Sequence, residues 1–261
     1  MDFAIIAAGE GSRLAEEGVR EPKPLVPLHG IPLIDRLVDI FLRHGATALH
    51  VIVNEEMTEV QKHLQQMKLP IPLHLTVKST PGPVQSFFFL SLRLRGERFC
   101  LTTVDSVFRE EDFSRYLDAF REEEADALMA VTEYVDDEKP LYVHTDEQGF
   151  IRRFADQTQS RYVSGGIYGL KRSALRVLQN SIRNNELRMR HYQRRLLAEG
   201  LSLKAYPFGQ ILDIDHASDI EKAEHFLNPP SFTPSAHAPY ERTHPGRHPA
   251  WKTILPQPCG K

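Results

Sequence analysis

The sequence predicts a three-layer α/β/α domain built around a mixed, mostly parallel sheet. Apolar, β-branched stretches alternate with amphipathic ones along residues 1–227, the alternation gives way to a hairpin pattern after residue 134, and the composition shifts at residue 228. Alternating strands and helices favour parallel strands with helices on both faces of the sheet. With 261 residues, 41% of them hydrophobic, the chain can fill one large core.

The first half of the chain supplies the parallel part of this sheet. The run DFAIIAA at residues 2–8 is typical of a strand that is buried on both faces. Apolar stripes at three-to-four spacing predict the helices that separate it from later strands. The predicted strands are residues 48–53, 72–77, 98–104 and 127–132, and the predicted helices are residues 33–43, 56–66, 84–94 and 109–122.

The second half predicts an antiparallel section and then a tail. Two short strands flank the turn DEQG and indicate a hairpin, and a further strand contains a glycine pair. The predicted strands are residues 140–145, 150–154, 162–170, 202–206 and 210–214, with helices at 171–180, 185–199 and 217–227. Residues 228–261 are rich in Pro, His, Ser and Thr without periodicity, which predicts a tail that lacks fixed structure.

Composition excludes several classes of function. The 32 basic and 35 acidic residues give a net charge of -3, so no basic field is expected to hold a nucleic acid. No apolar run approaches the ~20 residues that cross a bilayer, and the start MDF is unlike a signal peptide, so a cytoplasmic protein without membrane contacts is expected. Cys100 and Cys259 give neither a disulfide framework nor metal-ligand spacing. A homo-oligomer is compatible with the sequence.

The most informative motif is GEGSRL at residues 9–14, directly after the first strand. Gly9 and Gly11 allow a tight turn whose backbone N–H groups can point together at a phosphate, and Arg13 adds a fork of donors. A dinucleotide fingerprint would need glycine where Leu14 stands, and a P-loop would need Gly-Lys-Ser/Thr. The alternative is a tight turn that merely carries a surface arginine.

The segment PKPLVPL at residues 22–28 presents a lysine nearby. Lys23 stands between Pro22 and Pro24, whose rings fix the backbone φ on either side. Together, the first strand, GEGSRL and PKPLVPL resemble the start of the sugar-nucleotide pyrophosphorylases, a family of nucleotidyltransferases. The resemblance extends over residues 1–227 and implies the Rossmann-like fold of the nucleotide-diphospho-sugar transferase type.

The resemblance also implies roles for individual residues. In that family the glycine loop wraps the nucleotide, an arginine binds the triphosphate, and a lysine contacts phosphate near the reacting centre. Catalytic roles therefore pass to Arg13 and Lys23. The nucleotide is expected to contact Ala7, Ala8, Gly9, Gly11, Ser12 and Arg13.

Acidic side chains at strand ends are the candidates for a magnesium site. Attack on the α-phosphorus of a triphosphate needs a cation that bridges the phosphates, and carboxylates to hold it. Asp105 follows a buried strand, where open α/β sheets bind ligands, and the alternative is that it only caps the next helix. Asp213 and Asp215 are predicted on one side of an extended segment, and the sequence does not rank them.

The segment that contains these two aspartates resembles the closing motif of the family. Asp219 is expected to cap the last helix. The chain departs from the motif at His216 and Ala217, where the family usually has Thr-Pro. This departure affects the geometry of the turn and therefore the placement of Asp215.

The acceptor side is less well defined. Gly165 and Gly166 match the place where the family lets backbone approach the acceptor, although a glycine pair can equally mark a β-bulge. Gln85 and Ser86 are candidate polar contacts to the nucleotide, and the identity of the base cannot be transferred. Arginines on the predicted helix 185–199 indicate either a solvated basic face or a grip on the acceptor phosphate.

These observations predict a magnesium-dependent nucleotidyltransferase that joins a nucleoside monophosphate to a small phosphorylated acceptor, such as a sugar 1-phosphate, and releases pyrophosphate. The partners are then a nucleoside triphosphate and that acceptor. One alternative is a non-catalytic regulatory subunit of the same fold, which would typically lose Arg13, Lys23 or Asp105. Another is an enzyme similar to the molybdopterin guanylyltransferases, which share the same starting motif.

Overall fold

A computed structural model describes residues 1–136 and 138–227 of the protein. The predicted tail at residues 228–261, with Cys259, lies outside the described residues. Among the residues that are described, no helix combines the length and apolar character needed to cross a bilayer.

The predicted alternation of strands and helices is confirmed over the described part of the chain. The strands are β1 (Asp2–Ile6), β2 (Pro27–Leu28), β3 (Ile31–Pro32), β4 (Ala48–Val53), β5 (Leu73–Val77), β6 (Arg98–Thr103), β7 (Ser106–Phe108), β8 (Ala127–Thr132), β9 (Tyr142–Thr145), β10 (Ile151–Ala155), β11 (Tyr162–Lys171), β12 (Leu203–Phe208) and β13 (Ile211–Asp213). The helices are α1 (Ser12–Glu16), α2 (Leu33–Arg43), α3 (Thr58–Gln66), α4 (Pro83–Ser91), α5 (Glu110–Glu122), α6 (Ser173–Arg183), α7 (Met189–Ala198) and α8 (Ala217–Phe226), and a 3₁₀ turn covers Lys23–Leu25.

The central sheet is mixed and has β1 near its middle. Strands β6, β1, β4 and β5 lie side by side and are parallel to one another, while β11 runs antiparallel to β6 and to β8. The predicted hairpin is the β9–β10 pair, which joins the sheet through β11. Strand β4 lies on one side of β1, and the chain later returns as β6 on the other side of β1. This reversal forms a crevice at the carboxyl end of β1, where open α/β sheets bind ligands.

Two apolar cores cover the two faces of this sheet. Alternate residues of β1 point to opposite faces, so that Phe3 and Ile5 belong to one core while Ala4 and Ile6 belong to the other. The first core takes in buried side chains of α2, α3, α5 and α8, and the second takes in those of α4, α6 and α7. This division gives the three layers that the sequence predicts and fixes the sheet edge on which the site is built.

Short elements near the crevice, among them β7 and α1, were not predicted. The stretch predicted as one strand at residues 98–104 ends at Thr103, and β7 follows after a tight turn. Strand β7 pairs with β13 in a separate antiparallel ribbon, which sets Asp213 opposite Ser106. The other is α1, a helix of five residues that follows the glycine loop.

Candidate active site

A cavity of about 630 Å³ opens at the carboxyl ends of the parallel strands. Its walls are the glycine loop, the 3₁₀ turn and the loops that follow β4, β5 and β6. It is lined by Ile6, Ala8, Gly9, Glu10, Gly11, Ser12, Arg13, Lys23, Asn54, Glu56, Ser79, Thr80, Pro81, Gly82, Pro83, Ser86, Thr103, Val104, Asp105 and Asp215. Its volume falls in the range of about 300–1,000 Å³ that is typical of small-molecule sites.

The glycine loop and the 3₁₀ turn pack directly on each other. Gly11 has φ of 64°, and a Cβ at this position would lie 2.9 Å from the Cβ of Lys23. Only glycine adopts this conformation readily and leaves that space. The close approach places Lys23 against the loop, and α1, which starts directly after Gly11, carries Arg13 to the same cavity.

Lys23 joins two carboxylates that are far apart in sequence. Its Nζ donates to Oδ2 of Asp105 at 2.5 Å and to Oδ1 of Asp215 at 2.8 Å. Burial alone would lower the pKa of Lys23, but the charges of Asp105 and Asp215 outweigh burial and raise it above its ordinary value. The lysine is therefore a fixed positive charge at neutral pH, held where only 9% of its side chain is exposed.

Arg13 completes this group of charges from the solvent side. Its Nη1 donates to Oδ2 of Asp215 at 3.1 Å, and the two side chains are 55% and 46% exposed. An ion pair this exposed contributes little stability. Arg13 can therefore exchange its carboxylate partner for a phosphate at little cost, whereas Lys23 stays in place.

The third carboxylate, Asp213, carries a different charge state. It accepts a hydrogen bond from Oγ of Ser106 at 3.0 Å. Desolvation in the cleft, followed by the nearby negative charge of Asp105, raises the pKa of Asp213 to about 7, although solvent reaches part of its side chain. Burial would also raise the pKa of Asp105, but Lys23 outweighs this and lowers it. The cluster thus brings three carboxylates close to two cations, Lys23 and Arg13.

The donor set of this cluster fits a magnesium ion that arrives with a nucleotide. All of the donors are carboxylate oxygens, which are the ligands that Mg²⁺ prefers. Within residues 1–136 and 138–227, no three His, Cys, Asp or Glu side chains are grouped so as to hold a metal by themselves. Mg²⁺ usually takes one or two protein carboxylates and completes its shell with phosphate and water, so Asp105 and Asp215 would supply the protein's share of such a shell.

A second cavity, of about 240 Å³, adjoins the first. Arg13 and Asp215 line both cavities, whereas Asp213 lines only the second. The lining of the second cavity is Arg13, Thr132, Tyr134, Val135, Asp136, Glu138, Pro140, Val163, Ser164, Gly165, Ile211, Leu212, Asp213, Asp215, His216, Ser218, Asp219 and Lys222. Two compartments that share one arginine and one aspartate can hold two substrates with their reacting groups near that pair.

Most of the residues predicted for the nucleotide line the first cavity, and two do not. Ala7 is buried, and its N–H donates to the carbonyl of Ile52 inside the sheet. Gln85 points away from the cavity, where its amide donates to the carbonyl of Glu186 at 3.2 Å. Ser86 does line the cavity, and its hydroxyl lies 2.6 Å from that of Thr80.

The glycine pair of β11 is explained mainly by packing. A Cβ on Gly165 would lie 2.3 Å from Cδ1 of Ile211, and one on Gly166 would lie 2.5 Å from Oγ of Ser106. The register of β11 against β8 shifts at this point, as the bulge interpretation predicts. Gly165 lines the second cavity, while Gly166 lies outside the lining of both.

Three arginines of the predicted helix 185–199 pair with carboxylates near the surface. Arg190 and Arg194 both pair with Asp156, at 2.8 and 2.7 Å, and Arg195 pairs with Glu186. None of these arginines lines either cavity. This arrangement agrees with the solvated basic face and gives no support to a grip on the acceptor phosphate.

Several lining residues were missed from the sequence. Asn54 directly follows β4, and Ser79 and Thr80 lie just beyond the end of β5. Their position directly after predicted strands could have identified them, because polar residues that follow parallel strands meet at one edge of the sheet. Tyr134 and Lys222 of the second cavity carry no such signal, since tertiary packing alone brings them together.

Comparisons with known proteins identify relatives of this chain. A family model described as MobA-like NTP transferase domain matches residues 3–176. The Bifunctional protein GlmU of Methanococcus maripaludis is 23% identical over 87% of this chain and 55% of its own length. A Sulfolobus acidocaldarius protein that bears the provisional name mannose-1-phosphate guanyltransferase is 22% identical over 80% of this chain and 58% of its own. The chain thus spans little more than half the length of these curated relatives.

A solved structure shows the same fold. The inositol-1-phosphate CTP transferase from T. maritima superposes with a TM-score of 0.73 and covers 87% of this chain and 96% of its own. Its sequence is 21% identical, so the likeness concerns the fold.

Proposed function

Because the chain belongs to the family of MobA-like NTP transferase domains, we propose that it transfers a nucleoside monophosphate from a nucleoside triphosphate to a small phosphorylated acceptor, with release of pyrophosphate. The observation that carries this proposal is the convergence of Arg13, Lys23, Asp105 and Asp215 on one cavity beside the glycine loop. The relatives whose names state an acceptor, inositol 1-phosphate and mannose 1-phosphate, favour a sugar 1-phosphate or a similar polyol phosphate.

In this proposal the chain acts mainly by position and charge. The loop from Gly9 to Gly11 and the hydroxyl of Ser12 surround the triphosphate, and Arg13 and Lys23 face its negative oxygens. Asp105 and Asp215 would hold Mg²⁺, which when bound offsets charge at the reacting phosphates. A preorganised charge of this kind stabilises the transition state more than the ground state.

The second cavity is the proposed acceptor site. An acceptor phosphate seated there would lie beside Arg13 and Asp215, which border both compartments. One of its oxygens would attack the α-phosphorus in line, and the bond from that phosphorus to the departing pyrophosphate would break. A phosphate monoester is already ionised near neutral pH, so the reaction needs no general base.

A second candidate is guanylyl transfer to a molybdopterin-type acceptor. The match to the MobA-like description favours it. The volume of the second cavity, about 240 Å³, argues for a more compact acceptor, because it lies below the usual range for sites that hold drug-sized molecules.

The test is a pyrophosphate-release assay with purified protein, Mg²⁺, each nucleoside triphosphate in turn, and a panel of sugar 1-phosphates, inositol 1-phosphate, phosphocholine and molybdopterin. Release with one nucleotide and one acceptor would identify the substrates. Nucleotide binding without release for any pair would instead favour the regulatory-subunit alternative. Lys23→Met serves as the inactive control, since it removes the fixed positive charge and retains much of the side-chain volume.

A further inference from the structure

Glu17 connects the glycine loop to the start of α8. It follows α1 directly, and its N–H donates to the carbonyl of Arg13 at 3.0 Å. One carboxylate oxygen of Glu17 lies 2.6 Å from Nδ1 of His216, and the other accepts the backbone N–H of Ala217 at 2.6 Å. A single side chain therefore contacts two consecutive residues that lie about 200 positions further along the chain.

The two residues that Glu17 contacts are the two that depart from the closing motif of the family. Threonine in place of His216 would remove the imidazole. Proline in place of Ala217 would remove the N–H, because proline has none. The usual Thr-Pro sequence could make neither the imidazole contact nor the N–H contact seen here, so the departure and the position of Glu17 belong together.

The contact runs beside the Arg13–Asp215 pair. Arg13 and Glu17 are four residues apart, which places them on the same side of this helical turn. Arg13 pairs with Asp215, and Glu17 contacts the next two residues, His216 and Ala217. Two adjacent cross-links therefore fix the orientation of α1 relative to the segment that carries Asp215.

The opposite side of that segment is held independently. Oδ2 of Asp219 accepts the backbone N–H groups of Asp215 and His216, at 3.1 and 2.8 Å, which confirms the predicted cap of α8. The segment is thus rigid on the α8 side. Glu17 links this turn to the end of the glycine loop. Few other contacts are available to hold that end, because α1 is a short helix with one buried residue, Leu14.

We propose that Glu17 is a positioning residue, which orients Arg13 towards the triphosphate by tying the end of α1 to His216 and Ala217. This inference rests on the proposed function. Glu17 acts through Arg13 and not on a substrate directly, because Glu17 lines neither cavity.

Glu17→Ala should raise the dissociation constant and the KM for the nucleotide about two- to fivefold, the range expected for an exposed charged contact. Glu16→Ala is the matched control, since it removes the same charge from the adjacent position. Ala217→Pro tests the N–H contact alone, because proline is well accepted at the first residue of a helix. Nucleotide binding is measured by calorimetry and melting temperatures are recorded for all variants.

A double-mutant cycle decides whether the contact itself is responsible. Glu17→Ala combined with Ala217→Pro should weaken nucleotide binding no more than the stronger single change. Additive effects, an equal effect of Glu16→Ala, or unchanged affinity in Glu17→Ala would overturn the inference. If Arg13→Ala weakens binding while Glu17→Ala does not, only this inference fails; if the wild type binds no nucleotide with Mg²⁺, the proposed function fails with it.

Discussion

Alanine substitutions at three glycines test how the glycine loop is built. Gly11 has φ of 64°, and an added Cβ would lie 2.9 Å from Cβ of Lys23. Gly18, with φ of 91°, has no atom within 4 Å of the added Cβ, and Gly9 has neither a positive φ nor a neighbour within that distance. Gly18 therefore reports on backbone strain alone, Gly11 on strain together with steric contact, and Gly9 on neither.

The expected costs follow from these environments. Gly9→Ala should change the free energy of unfolding by less than about 0.5 kcal/mol, the usual range for surface substitutions. Gly18→Ala should cost about 1–2 kcal/mol because an L-residue is forced into the left-handed region. Gly11→Ala adds a contact with a side chain that two carboxylates hold in place, so about 2–4 kcal/mol is expected.

Urea denaturation and thermal melting measure these differences. At about 2–4 °C per kcal/mol for a domain of this size, Gly11→Ala should lower the melting temperature by roughly 4–15 °C. Gly11→Ala should also weaken nucleotide binding by displacing Lys23. Equal melting temperatures for Gly9→Ala and Gly11→Ala would refute the reasoning, since the close approach of the loop to Lys23 would then carry no energetic cost.

Three further predictions concern charged groups. Lys23→Met should lower kcat/KM at least about 100-fold in the pyrophosphate assay, in line with the loss of one preorganised donor, and should also lower the melting temperature because Asp105 loses its partner. Asp215→Asn should strengthen nucleotide binding up to about fivefold in the presence of a chelator, measured by calorimetry, because Arg13 and Lys23 lose a competing anion; weaker binding would contradict this. Burial would raise the pKa of Glu110, but its basic neighbours lower it to about 2 from 4.5, so its stabilisation is present above pH 4.5 and lost as the pH falls towards 2. Glu110→Gln should therefore cost up to about 3 kcal/mol in urea titrations at pH 7 and much less near pH 2, and an equal cost at both would argue against the ion pair.

The local pattern of the sequence was sufficient for most of the fold. Continuous apolar runs and three-to-four spacing placed the long strands and helices, because burial on one or both faces imposes a period that is visible in a single segment. Strand β7 was missed because it has only three residues, too few for a period to show, whereas its partner β13 lies within the strand predicted at residues 210–214.

The sequence also predicted the chemistry of the site but not its pairing. GEGSRL, the proline-flanked Lys23 and the acidic strand ends indicated a phosphate site through their residue types and their resemblance to the nucleotidyltransferases. Which aspartate meets Lys23 was decided by tertiary structure. Strand β13 ends at Asp213, so alternation along the strand no longer fixes the direction of Asp215, and the turn capped by Asp219 aims it at a lysine 192 residues away.

Long-range contacts also decided the roles that the sequence left open. From the sequence, Gln85 and the arginines of α7 were candidates to contact a substrate. In the structure Gln85 donates to the carbonyl of Glu186, and Arg190 and Arg194 pair with Asp156. A polar side chain goes to whichever partner the fold brings within hydrogen-bonding distance, and that partner can be any distance away in sequence. Residue type therefore indicated what this protein is expected to bind, and the packing of distant segments decided which residues line the cavities.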